Sequence, residues 1–431
     1  MLHLSALPVW PMEGKGGMPS LRETLRGHVR GGHSIVLVLP RYHLFEDRPR
    51  RMSVQHDDAC EVYFAPCVWA PALLAVRRAA RRLGGGKEMP YALRWFLNLA
   101  LCALLTGSLV LVSFRLRYRN KRRFDLVYAH NQYAAVAGWL LGRLFGIPNV
   151  TRLYGTFLAD LMSKPLVTLR YPVAAAGFLV PHSLLICAND GTRGDEVARR
   201  LGIRMERFRF WQNGVDLPAN LPARTRQEVS LRSPGDRLRL ESKWIISCSR
   251  LTYWKRLDRV IRALHAAREA GCDCQLLMAG AGLEEEPLRA LASRLGVEQQ
   301  VAWLGAVEHG AVWELMQVAD AFIITNDVTN RCNPLYEAIC AQLPVVSVRD
   351  PATADLLDHG VNALLADKED TDALGKNLYR VCTDPALAAS MRRAQAERRK
   401  QLWSWRERMK AEVGELEQLV EGRRPSMARS T

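Results

Sequence analysis

Three short stretches of this 431-residue chain carry side chains suited to a phosphate-bearing ligand. In Ser249-Arg250-Leu251-Thr252-Tyr253-Trp254-Lys255-Arg256, an apolar run that reads as a buried strand ends and an amphipathic pattern begins at Leu257. Arg250 and Lys255 are therefore expected at a strand's carboxyl end beside a helix N-terminus. Two cations and a helix dipole make a site for a diphosphate, against the plainer reading of a solvated basic loop. The second stretch is Asn333-Pro334-Leu335-Tyr336-Glu337-Ala338, behind a strand ending near Thr325 and a loop, Asn326 to Cys332. Asn333 as N-cap and Pro334 as first helical residue predict a helix start whose N–H groups are open to an anion. Glu337, one turn in, could take both hydroxyls of a ribose, or merely offset the helix dipole. The third is His130, closing Phe124 to His130 (FDLVYAH), read equally as an acceptor-site contact and as a hydrogen-bonded cap of a sheet. Tyr154 and Asn213 are candidates of the same kind.

The elements that must position these residues alternate along the chain. Ser34 to Pro40, Phe124 to His130, Asn149 to Tyr154 and Ser183 to Ala188 read as short buried strands in the first half. Lys243 to Ser249, Gln275 to Ala279, Val301 to Gly305, Ala321 to Thr325 and Pro344 to Val348 do so in the second. Helical patterns lie between them, as in Leu257 to Ala270, where Leu257, Val260, Ile261, Leu264 and Ala267 share one face. Continuous apolar strands separated by amphipathic helices predict an α/β protein with parallel sheets covered on both faces. Leu217 to Glu241, rich in Pro, Arg and Ser, shows neither period and reads as a linker. The expected domains are residues 1–220, 221–400 and a terminal helix and tail, 401–431. The first two are Rossmann-like and expected to face each other across a cleft. Pro385 to Val420 reads as two helices, with Trp403 and Trp405 anchoring the chain back on the first domain.

Composition narrows the class. With 48% hydrophobic and 24% charged residues the chain is globular, and its length excludes a small disulfide-stapled module. The net charge of +16 is lopsided: residues 1–240 hold 35 Lys+Arg and 17 Asp+Glu, residues 241–431 hold 25 and 27. A nucleic-acid binder would interleave aromatic with basic residues or show a recognition helix, and neither is found. The ten cysteines, Cys102, Cys187, Cys272, Cys274 and Cys340 among them, lack metal-site spacing and read as free thiols in a reducing compartment. Met1-Leu2-His3-Leu4-Ser5 does not open a secretory signal, so a cytoplasmic location is expected. Trp95 to Phe114 carries no charge and runs into the basic stretch Arg115 to Arg123. It reads as a spanning helix, an interfacial helix or a buried helix of the α/β domain.

Taken in order, Gly16-Gly17, Gly32-His33, FDLVYAH, NGVD (Asn213 to Asp216), SRLTYWKR, MAGAGLEEE (Met278 to Glu286), WLGAV (Trp303 to Val307) and NPLYEA resemble the GT-B fold glycosyltransferases of family GT4. The resemblance runs from about residue 8 to 400. It implies retaining transfer of a sugar from a nucleotide diphosphate donor with no essential metal or other cofactor. The donor would sit mainly on the second domain and the acceptor on the basic first one. Arg250 and Lys255 would stabilise the leaving diphosphate, Glu337 would hold the ribose, and Gly16-Gly17 would let backbone N–H groups approach the phosphates. The chain departs from the family in two places. The first of its two spaced glutamates is Thr329 here, leaving Asp327 as the nearest carboxylate, and a frequent His-Gly is Tyr154-Gly155. A nucleotide-sugar-binding relative without transferase activity, or a nucleotide-sugar epimerase or hydrolase, is the alternative. The basic half and the Trp95 to Arg123 segment suit a saccharide acceptor on an anionic lipid carrier. The expected site of action is then the inner face of the cell membrane, with the protein peripherally bound and no nucleic acid involved.

Overall fold

The computed structural model describes residues 1–7, 19–42, 44, 60–83, 90–216, 224–233 and 238–422. The chain forms two compact units, Met1–Asn213 with the carboxy-terminal residues from Trp405, and Gly214–Ser404. Gly16 and Gly17 lie outside the described residues.

The first unit is built on a seven-stranded sheet of β1 (Leu2–Ser5), β2 (Ile35–Pro40), β3 (Cys60–Ala65), β4 (Val127–His130), β5 (Asn149–Leu153), β6 (Leu184–Ala188) and β7 (Phe208–Trp211). Their order is β3-β2-β1-β4-β5-β6-β7, with every pairing parallel. The order reverses between β1 and β4, so those two strands flank the switch point. Sequence reading missed β1 because His3 and Ser5 make it look polar, yet all four residues are buried. It also missed β3 and β7.

The Trp95–Phe114 segment lies inside one helix, Tyr91–Tyr118, which alone among the described helices is long and apolar enough to cross a membrane. One side, including Leu97, Leu101, Leu105, Leu109 and Leu116, is buried in the domain. Four of these leucines join the core cluster with Leu2, Leu4, Val36 and Val38. Phe96, Leu111, Phe114 and Tyr118 are exposed on the same helix.

The second unit holds a six-stranded parallel sheet of β8 (Lys243–Cys248), β9 (Cys274–Ala279), β10 (Val301–Gly305), β11 (Ala321–Ile324), β12 (Val345–Val348) and β13 (Ala363–Ala366), ordered β10-β9-β8-β11-β12-β13. Its switch point lies between β8 and β11. Two apolar clusters sandwich the sheet. One contains Leu257, Val260, Ile261 and Leu264 of the Leu257–Glu269 helix, and the other contains Trp244, Phe322 and Leu335. The expected linker is corrected in part: Arg226–Arg232 is a helix with a Thr225–Glu228 capping box, and its Arg226 is ion-paired to Asp320. A helix this short leaves little periodicity to read.

Of the two terminal helices, Pro385–Arg399 stays with the second unit, while Trp405–Glu421 belongs to the first. All ten cysteines are free.

Candidate functional site

The loops after β8 and β11, at the switch point of the second sheet, bring the basic stretch and the NPLYEA helix together. After β8 the chain is knitted to the turn that follows β9. Ser249 N donates to Ala279 O, Leu251 N to Ala281 O and Glu284 N to Leu251 O, at 3.0–3.1 Å. The turn requires glycine: a Cβ on Gly280, whose φ is +145°, would sit 1.7 Å from Ser249 O. On Gly282 it would sit 2.1 Å from Leu251 O. The MAGAGLEEE motif is thus the floor against which the SRLTYWKR loop is pressed.

Tyr253–Lys255 then forms one 3-10 turn, ended by Arg256 in the left-handed region at φ +49°. Arg256 fastens the two loops to each other. Its guanidinium reaches Asp258 and, at 3.2–3.3 Å, Asp327, while Thr325 Oγ1 donates to Arg256 O. Asp327 N donates to Trp254 O, and Lys368 Nζ to Asp327 O. Arg259, almost wholly buried, adds ion pairs to Asp327 and Glu369. Burial would raise the Asp327 carboxyl, but the hydrogen bonds and charges of Arg259 and Arg256 bring it below the ordinary carboxylate range. The Asp327 carboxylate, the nearest to the place of the missing glutamate, is thus engaged in clamping the two loops.

Within this frame Lys255 Nζ lies 4.5 Å and Arg250 Cζ 5.6 Å from the centroid of the Trp254 ring. Burial lowers the Lys255 pKa, and the charge of Arg250 adds to the effect, while the thiols of Cys332 and Cys248 oppose it. Cys332 is the N-cap of the Asn333–Cys340 helix, with Asn333 and Pro334 in its first turn. Asn333 thus begins the helix rather than capping it, one residue from the expected place. Lys255 interacts electrostatically with Cys332, the residue that caps this helix, so the cation and the helix start that the diphosphate reading needs share one neighbourhood.

Glu337 is 7% exposed, and its Oε1 accepts a hydrogen bond from His309 Nε2 at 2.7 Å. His309 opens the His309–Val318 helix after β10. Sequence reading missed it by stopping at Val307; the signal was a histidine just past a strand's carboxyl end, where ligands collect. Thr329 is held in the loop, accepting from Asn326 Nδ2 through its carbonyl and from Arg331 N through Oγ1. Arg331 ties the loop to Asp355 and Tyr336.

The three candidates on the first unit converge differently. His130 has no exposed surface; it shares hydrogen bonds with His3 (2.9 Å) and the Tyr154 hydroxyl (2.8 Å). Arg152 stacks its guanidinium near Tyr154 and donates to Asn213 Oδ1. Arg152 also pairs with Glu412 of the terminal helix, which Tyr128, His28 and Arg408 engage as well. His130 is therefore an interior member of a polar network.

The family model for glycosyl transferases group 1 matches residues 234–399. The chain is 22% identical over 153 residues to the 2-deoxystreptamine N-acetyl-D-glucosaminyltransferase of Niallia circulans, covering 36% of this chain and 39% of that one. It is 29% identical over 223 residues to the GDP-mannose-dependent alpha-(1-6)-phosphatidylinositol monomannoside mannosyltransferase of Mycolicibacterium smegmatis, covering 49% and 55%. The matched stretches thus span about two fifths to just over half of these relatives. Among solved structures, Anabaena HepE in complex with UDP-glucose superposes with a TM-score of 0.64 at 19% identity, over 96% of this chain and 98% of that one. This last likeness is one of fold.

Proposed function

We propose that this chain, which has the GT-B fold and matches the group 1 glycosyl transferase model over residues 234–399, moves a sugar from a nucleoside diphosphate sugar to a saccharide acceptor. One observation carries the reading. At the switch point of the second sheet, the loop after β8 carries a desolvated Lys255 beside Arg250, and the chain after β11 begins the Asn333–Cys340 helix with the buried Glu337 carboxylate one turn in. In this reading Arg250, Lys255 and the helix dipole meet the charge that grows on the leaving diphosphate, and Glu337 takes the donor ribose. Fixed cations in a partly dry site stabilise such charge without reorganising, and no metal is assigned a role. Transfer with retention at the anomeric carbon is part of the proposal, as is the Gly16-Gly17 loop as a phosphate contact.

The acceptor is assigned to the basic first unit, on an anionic lipid carrier at the cytoplasmic membrane surface, for cell-surface polysaccharide or glycolipid synthesis. The exposed apolar side of the Tyr91–Tyr118 helix, next to Arg115 and Arg117, supports a peripheral attachment. The phosphatidylinositol-mannoside acceptor in the name of one relative points the same way.

Calorimetry of the full chain with UDP, GDP and ADP, EDTA present throughout, tests the donor site. Selective binding of one nucleotide, lost in Lys255→Ala, is the expected result; no binding by folded protein overturns it. Product analysis with the matching sugar nucleotide then separates transfer from epimerisation or hydrolysis.

A further inference from the structure

The Glu337 carboxylate is held from the protein side before any ligand arrives. Its helix, Asn333–Cys340, and the His309–Val318 helix put Leu335, Tyr336 and Ile339 and Val312, Leu315 and Met316 into one apolar cluster. Close packing of that kind fixes the two helices, and so their side chains, relative to each other. From this layer His309 Nε2 reaches Glu337 Oε1 at 2.7 Å. An ionised carboxylate only accepts, so the proton lies on Nε2 and the histidine is the donor. Among the described residues no other hydrogen bond reaches the Glu337 side chain.

His309 is itself anchored. Its ring meets that of Trp313, one turn further along the same helix, at 6.4 Å and 62°. The Trp313 side chain is wholly buried, so the contact is a fixed one. The thiols of Cys248, at the end of β8, and of Cys332 each lie within electrostatic reach of both Lys255 and Glu337. The carboxylate therefore shares the neighbourhood of the cation assigned to the diphosphate.

The arrangement selects for a ligand with paired hydroxyls. A carboxylate offers about four acceptor directions. One is taken by His309, and a vicinal diol needs two of those left. Because the side chain is already oriented, a ligand does not have to order it on binding. Without the N–H of His309, the carboxylate would be buried with no donor from the described residues to hold it toward the ligand.

We infer that His309 is a positioning residue for donor recognition: its N–H fixes one oxygen of Glu337 so that the carboxylate is presented to the 2′- and 3′-hydroxyls of a ribose. Resting on the donor reading above, the pair makes the site selective for ribonucleotides over their deoxy counterparts. That selection depends on His309 as well as on Glu337.

The test is titration of the full chain with UDP and GDP and with their 2′-deoxy counterparts, the ratio of the two affinities being the readout. The wild type should prefer the ribonucleotide by about tenfold or more, as for a hydrogen bond to a charged group. Glu337→Ala should abolish the preference. The His309 side chain is 54% exposed, so replacing it leaves the core intact. His309→Phe keeps a ring against Trp313 without an N–H, whereas His309→Gln can place an amide N–H near the position of Nε2. His309→Phe should lose most of the preference with its melting temperature unchanged, and His309→Gln should restore much of it. A histidine that merely supports the fold would weaken both nucleotides by the same factor in His309→Phe and leave the ratio alone, which overturns the role. Equal loss of the preference in the Phe and Gln variants overturns it too, since the N–H would then have no part. Nucleotide binding without ribose preference in the wild type removes the His309–Glu337 role and leaves the donor site standing. No nucleotide binding by the folded protein removes both.

Discussion

At Lys255 two effects oppose each other: burial disfavours the ammonium, and a bound diphosphate would restore it. The cationic form is the one that binds. Nucleotide affinity should therefore be flat at neutral pH and fall as pH rises through the lowered pKa, earlier than for an ordinary lysine. Titration calorimetry between pH 7 and 10 checks this, with Lys255→Arg, which keeps its charge, expected to stay flat. Lys255→Ala and Arg250→Ala should each slow turnover by about 2 to 4 kcal/mol of transition-state stabilisation while leaving the fold intact. Steady-state kinetics with the identified donor measures this, and unchanged turnover in either would remove that residue from the site. Glu337→Ala should chiefly weaken nucleotide binding. Arg250, Lys255 and Glu337 were legible because a cation after an apolar strand, or a carboxylate one turn into a Pro-started helix, announces its place locally. Asp327 was not: its partners Arg256 and Arg259 lie 71 and 68 residues away, and nothing near Asp327 shows that its charge is already taken.

The site's elements are positioned by loops fastened to loops. Gly280→Ala would press a methyl group into the backbone of Ser249 and force a residue with φ +145° to carry a Cβ. A loss of more than about 3 kcal/mol is expected; a melting temperature within a degree or two of the wild type would show that the floor can shift. Arg256→Ala is milder, removing pairs that are partly exposed, about 1 kcal/mol in all. Its larger effect should be on turnover, since it loosens the Lys255 loop on the Asp327 loop, leaving only the bonds of Asp327 N to Trp254 O and of Thr325 Oγ1 to the backbone of residue 256. Strands β8 to β12 were readable because each is a continuous apolar run covered on both faces. Strand β13 (Ala363–Ala366), Ala-Leu-Leu-Ala, lacks the β-branched residues that mark the equally short β11 and β12, and in β3 (Cys60–Ala65) Glu61 interrupts the run. The central place of β1 comes from its pairing with β2 and β4, information that lies in other parts of the chain.

Across the whole molecule, the buried carboxylate of Glu412 holds the terminal helix on the first unit. Burial alone would raise it, but Arg152, Arg408 and His28 keep it ionised far below the usual range. Glu412→Gln should cost about 3 to 5 kcal/mol, because Arg152 and Arg408 are left buried without their counter-charge. Urea unfolding of the variant reads this. The same network sets an acid limit. Burial pushes His3 and His130 well below 6.5, so below that pH the unfolded chain takes up protons that the native state refuses. Stability should fall as pH drops from about 6.5, by up to about 1.4 kcal/mol per pH unit per histidine. Glu412 adds its own loss only below about 4.3, its unfolded value. Urea midpoints at pH 7, 6 and 5 should decline, and more shallowly in His130→Gln. None of this was legible, since His28 and Glu412 are 384 residues apart.

That separation also sets an order of assembly. The first unit leaves the ribosome first, yet three charged and aromatic partners in its interior wait for a carboxylate that is synthesised after the whole second unit. The amino-terminal domain is thus the last to close, its half-built interior open to chaperones or proteases while the rest of the chain emerges. A chain ended before Trp405 should never leave that state.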